Sequence, residues 1–174
     1  MRFTAREKSF LLRFAFLFFV PFALVHFVDF QPLNYAVAWI EAFLLAALGY
    51  SVSLTGTTLS VDGESFKIIV DCTGLVLVIL FFALLYATPL KEEKREKALL
   101  WGAPFLFAFN LLRLLFALTV GAVLGRTALE AVHLVLWFAD SGVALFLWAQ
   151  AAEIKLLASG RRQHKKTSST RQAK

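Results

Sequence analysis

Ile68-Ile69-Val70-Asp71-Cys72-Thr73-Gly74-Leu75-Val76-Leu77 is the stretch where a short polar hairpin gives way to an apolar run that continues to Leu90. It holds the only cysteine of the chain. Asp71, Thr73 and Gly74 are poor residues for a helix interior and common where helices begin. Cys72 is therefore expected near a first helical turn, where unpaired N–H groups favour a thiolate. A plainer reading also holds, since a lone cysteine in an apolar protein is usually a small packing residue.

The surroundings of that stretch are those of a membrane protein. The chain has 174 residues, 59% of them hydrophobic and 15% aromatic, with a mean hydropathy of +0.71. A soluble domain is about 45–50% apolar, and a soluble core of this size cannot hide nineteen phenylalanines. The formal charge of +6 does not point to nucleic acid, because Lys and Arg gather at the two ends and in one loop. Basic residues flanking apolar spans are what membrane orientation requires. One cysteine excludes an internal disulfide, and no CxxC is present for thiol–disulfide exchange. His26, His133 and His164 are scattered, without an HExxH or Cys/His cluster, so neither a metal nor another cofactor is expected.

Residues 1–9 read as a cytoplasmic N-terminus, 10–156 as one membrane domain, and 157–174 as a basic, disordered cytoplasmic tail binding anionic lipid. The basic start followed by Phe14–Val28 imitates a signal peptide but lacks a small-x-small cleavage site. It is expected to remain as a first span over 10–28, kinked at Pro21 or accommodated there by neighbours. Further spans are expected at 74–90, 98–119 and 132–153, with a Gly-rich outer loop at 121–131. The basic segments Lys91–Lys97 and Arg161–Lys174 and the N-terminus all belong inside. Residues 33–54 must then begin and end outside, as a re-entrant or interfacial helix. Five full crossings would put the N-terminus outside, so four are preferred. Residues 55–72 read as an outer β-hairpin turned by Asp62-Gly63. The fold class is thus an all-α membrane bundle with a small extracytoplasmic hairpin.

Polar side chains inside such spans are expensive and become candidates by default. Counting from the inner markers at about 1.5 Å per residue puts Cys72 about 27 Å, Arg113 about 24 Å and His133 about 33 Å away. The hydrocarbon core is about 30 Å thick, so all three lie near the outer boundary. Each has a plainer alternative: Arg113 could snorkel to headgroups, and His133 and His26 could be interfacial. Asn110, one turn from Arg113, could orient the guanidinium or join helices. Asp140 fits a bond to another helix better than contact with the thiol. Glu130 could orient the His133 ring, and Glu41 has no assigned partner.

Together the three fit cysteine acyl transfer. The nucleophile must be a thiolate. An arginine stabilises it or the developing oxyanion, and a histidine moves the proton. The acyl group then passes to water or to an amine. Asp71 opposes thiolate formation if it points inward.

At these residues the chain resembles the exosortase/archaeosortase family of membrane cysteine transpeptidases. The matching segments are Asp71-Cys72-Thr73-Gly74, Asn110-Leu111-Leu112-Arg113, and His133 within Glu130-Ala131-Val132-His133-Leu134-Val135-Leu136-Trp137. The likeness covers roughly residues 30–150, and the short length is similar to the exosortase H group. The resemblance implies Cys72 as nucleophile, Arg113 as the essential arginine and His133 as the third residue, with Asn110, Asp71, Thr73 and Gly74 in support. It also implies a plasma-membrane enzyme with an outward-facing site and exported protein substrates. These carry a C-terminal motif, a transmembrane helix and a basic cluster, and their acceptor is a lipid or polysaccharide amine, or water. A reading of another class is a non-enzymatic assembly or accessory protein whose polar residues hold helices together. A transporter lacks support because no repeated halves are visible, and Ser141-Gly142 alone does not make a rhomboid-type serine site.

Overall fold

The computed structural model describes residues 4–28 and 30–153. The basic tail, its His164, and Lys155, from which the depth of His133 was counted, lie outside the described residues. Five α-helices and a three-stranded sheet make up the fold: α1 Ala5–Phe27, α2 Gln31–Ala47, β1 Val52–Thr55, β2 Thr58–Val61, β3 Glu64–Lys67, α3 Leu75–Ala87, α4 Glu92–Leu124 and α5 Arg126–Ala151. Three of these, α1, α4 and α5, are long and apolar enough to cross a membrane. The protein is a helical membrane protein.

Thr4 starts α1 through a reciprocal capping box with Glu7, which satisfies two N–H groups that a helix start leaves free. Phe10, Phe14, Phe18 and Phe22 then recur every fourth residue and stack along one face. This ladder ends on His26, whose ring lies 4.4 Å from that of Phe22. Pro21 is carried inside the helix.

α3 lies among α1, α4 and α5, and α4 runs antiparallel to α5. Leu77, Phe81, Leu85, Leu106 and Ala144 form the core where these helices meet. At the Thr88 end, the Trp148 indole donates to Thr88 Oγ1 at 2.8 Å and Lys94 pairs with Glu153. A second core gathers Val37, Ala38 and Leu45 of α2 with Leu59, Val61, Phe66 and Ile68 of the sheet and Leu114 and Leu118 of α4. The sheet and α2 therefore pack on the C-terminal third of α4. Large apolar side chains such as Leu12, Trp101, Leu112 and Phe138 face outward, as expected where lipid is the solvent.

Two expectations need correction and a third is sharpened. The hairpin is a three-stranded antiparallel sheet ordered β1-β2-β3. Its first strand lies in the stretch read as the end of a helix. Ser51-Val52-Ser53-Leu54 alternates polar and apolar, and Gly56, at φ 60°, turns it into β2. The Asp62-Gly63 turn forms as expected, with both residues at positive φ. The outer loop at 121–131 does not exist as a loop. α4 continues to Leu124, α5 begins at Arg126, and Gly125 alone joins them at φ 84° and ψ 174°. No β-carbon could occupy that backbone cheaply. Finally, Cys72 lies near the first turn of α3, as expected, but just outside it. It closes a 3-10 turn, Val70–Cys72, and a left-handed Gly74 at φ 77° separates it from the helix.

Candidate active site

The turn that carries Cys72 is built from its own side chains and one helper. Cys72 N–H donates to the Ile69 carbonyl at 2.9 Å, and Thr73 N–H donates to that of Val70 at 3.1 Å. The Thr73 hydroxyl donates to Val70 O at 2.7 Å and accepts from Leu75 N–H at 3.3 Å. Thr73 is fully buried, so it both closes the turn and starts α3. Asn110 on α4 donates to the Cys72 carbonyl at 2.8 Å. A β-carbon on Gly74 would meet Asn110 at 3.0 Å, so glycine serves both the left-handed backbone and this close approach. Asn110 thus holds the Cys72 backbone rather than orienting the guanidinium.

Arg113 does not snorkel. Its guanidinium is buried and its Nη1 donates to Asp140 Oδ2 on α5 at 2.8 Å. Arg113 Nε and Nη2 and Asp140 Oδ1 have no hydrogen-bond partner among the described residues. A cavity of about 230 Å³ lies beside this pair. Phe18 of α1, Asp71 and Gly74 of the turn, and Leu77 and Leu80 of α3 line it with Trp137. Arg113 lines this cavity while two of its buried donors stay unpaired, and donors of that kind suit an oxyanion or a carbonyl oxygen.

His133 borders a neighbouring cavity with Phe22, Asp71, Val76, Glu130 and Trp137. Glu130 does not orient the His133 ring, because it accepts from Arg126 Nε at 3.0 Å instead. Asp71, left open by the sequence, points toward α1, where its Oδ1 lies 3.1 Å from His26 Nε2. His26 is thus part of the site's surroundings.

Arg113 on α4 lies near enough to Cys72 and to His133 for its charge to act on each, while the Cys72 side chain packs against the core of α2, the sheet and α4. Burial pushes the Cys72 thiol up from its ordinary range; the contact with Ile69 and the Arg113 charge pull it down, and Asp71 pushes it up again. The net direction is upward, which favours the thiol over the thiolate. Two neighbours that the sequence left without a site role, His26 and Asp140, stand beside the expected residues. Asp140 carried a readable signal: it and Arg113 are the only charged residues over 98–124 and 131–152. No cluster of metal-ligating side chains occurs among the described residues.

The family model described as transmembrane exosortase matches residues 4–154. The chain belongs to the transmembrane exosortase family. No curated protein and no solved structure matches it. The match spans all five helices of this exosortase, including α1, which lies outside the segments that carried the resemblance.

Proposed function

We propose that this exosortase is a membrane-embedded cysteine transpeptidase or peptidase, with Cys72 as nucleophile, Arg113 as electrostatic stabiliser and His133 as the proton carrier. The observation that carries this reading is geometric: Asn110, one turn from Arg113, holds the Cys72 carbonyl, and Asp71, next to Cys72, lines one cavity with Arg113 and a neighbouring one with His133. His133 takes the thiol proton as sulfur attacks a peptide carbonyl, and the oxyanion forms within reach of Arg113. The intermediate collapses as the leaving amine takes the proton from His133, and a thioester remains on Cys72. An acceptor amine or water then gives a proton to His133 and attacks the thioester, releasing the product and restoring the thiol.

Family membership supports exported substrates whose C-terminal tail holds a short motif, an apolar helix and a basic cluster. The reading takes four crossings, by α1, α3, α4 and α5, with the site facing the outside of the plasma membrane. At thirteen residues α3 covers only about 20 Å, so Thr88–Leu90 extend its span, and the turn with Cys72 lies beyond the other end at the outer boundary.

Co-expression with a tail-bearing substrate tests the reading. Cys72→Ala, Cys72→Ser and Arg113→Ala abolish processing while membrane levels stay within about twofold. Unchanged processing in Cys72→Ala ends the nucleophile assignment. The Arg113–Asp140 pair also favours a second reading, a non-enzymatic assembly protein in which these side chains only hold helices together. Under that reading, Arg113 and His133 variants lose function in proportion to lost folded protein.

A further inference from the structure

His26 offers an oxygen-facing nitrogen on each side of its ring. Nδ1 lies 2.7 Å from the Phe22 carbonyl, and Nε2 lies 3.1 Å from Asp71 Oδ1. A carbonyl oxygen only accepts, so Nδ1 must carry a hydrogen. In a neutral ring that leaves Nε2 as a bare lone pair facing another acceptor. The contact closes only if one more proton sits between ring and carboxylate, which makes the pair an imidazolium and an aspartate. Asp71 directly precedes Cys72, and its negative charge opposes ionisation of the thiol.

We infer that His26 is a positioning residue: through Asp71 it draws a carboxylate toward α1 and neutralises it, keeping that charge from suppressing the Cys72 thiolate. The inference rests on Cys72 being the nucleophile. The ladder Phe10–Phe14–Phe18–Phe22 brings His26 to this place, and α1 reaches the site through this polar contact. The other charged and titratable groups around the turn are few. Arg113 comes from α4, with Asp140, His133 and Glu130 from α5. Arg113 and Asp140 are committed to each other, and Glu130 to Arg126. α2 brings only Glu41 and Tyr35, of which Glu41 is buried. Tyr86 is the only such group on α3, far down the helix. His26 is therefore the base that can compensate Asp71 without leaving another charge unpaired.

Because Cys72 is the only cysteine, its alkylation by iodoacetamide in the full-length, detergent-solubilised protein can be followed by intact mass without a substrate. At fixed neutral pH, His26→Ala is expected to slow alkylation about threefold to tenfold, the effect of half to one pKa unit on the thiol. His26→Gln, which keeps the ring's size and a hydrogen-bonding group without the charge, slows it as well and stands in if the alanine variant does not fold. Asp71→Asn reacts at least as fast as the unaltered protein, and His26→Ala in that background adds nothing. Wild-type rates in both His26 variants would overturn the inference, as would an undiminished His26→Ala effect in the Asp71→Asn background. Failure of the nucleophile assignment is seen separately, as substrate processing that survives Cys72→Ala.

Discussion

Arg113 and Asp140 meet at 2.8 Å across α4 and α5, with their side chains only 3% and 5% exposed. A charge pair this deep gains little over an apolar pair of equal size, yet costs heavily when one partner is removed. Asp140→Ala should therefore destabilise the solubilised protein by about 3–5 kcal/mol, read as a drop in its unfolding temperature. Arg113→Leu combined with Asp140→Leu should recover most of that loss while processing stays abolished. A recovered fold with recovered processing would remove Arg113 from the chemistry.

The Asn110 side chain holds the carbonyl of the very residue proposed to attack. Asn110→Ala should cost about 1–2 kcal/mol of stability and leave Cys72 free to drift. A nucleophile misplaced by even an ångström loses about a hundredfold in rate. Single-turnover formation of the thioester on Cys72, measured by mass, should fall by at least tenfold. Equal rates in both proteins would make Asn110 a helix fastener only.

The direction of the Cys72 shift gives a pH profile. Burial favours the neutral thiol, so thiolate is scarce at neutral pH and grows as pH rises. The rate of alkylation should keep climbing beyond pH 8.5, the ordinary midpoint of about 8.5 for a free cysteine. A plateau reached by pH 7 would mean that Arg113 and the turn outweigh burial.

Gly74 is held by two demands, a φ of 77° and the 3.0 Å approach of Asn110. Gly74→Ala meets both and should cost about 1–3 kcal/mol, with lower yield of folded protein at 37 °C. Normal yield and normal processing would show that the turn can be rebuilt around a side chain.

Glu41 sits fully buried among Val37, Ala38 and Leu45, and neither carboxyl oxygen has a hydrogen-bond partner among the described residues. An ionised carboxylate there would be costly, so Glu41→Gln should leave unfolding temperature unchanged or raise it. Glu41→Lys places an obligate point charge in the same space and should prevent accumulation in the membrane. A marked loss from Glu41→Gln would point to a partner for the carboxyl group.

Much of this arrangement was legible because lipid makes polarity conspicuous. Arg113 and His133 stand out in long apolar runs, and Asp62-Gly63 turns the chain as its backbone preferences require. What could not be read was azimuth. Whether Arg113 reaches a headgroup or Asp140 depends on how two helices are rotated about their axes, which no count along one helix supplies. The same holds for Asn110, whose partner is a main-chain carbonyl and has no residue signature. β1 was absorbed into an apolar stretch because four residues are too few for alternation to outweigh the helical run before them. The His26 contact could not be read because its partner, Asp71, lies on another element, and proximity between α1 and the turn is a tertiary fact.

The single-glycine joint at Gly125 turns the α4–α5 pair into a ruler. Arg113 stands twelve residues before it and Asp140 fifteen after it, about 18 Å and about 22 Å down the two arms. A longer connection could absorb an inserted residue, whereas this one has no slack to give. One extra residue in either arm between Gly125 and the pair would turn every side chain beyond it by about 100° and shift it by about 1.5 Å. Arg113 and Asp140 would then face different neighbours. The chain can thus vary freely in what it presents to lipid, while the twenty-eight positions from Arg113 to Asp140 form a fixed interval that insertions and deletions cannot enter.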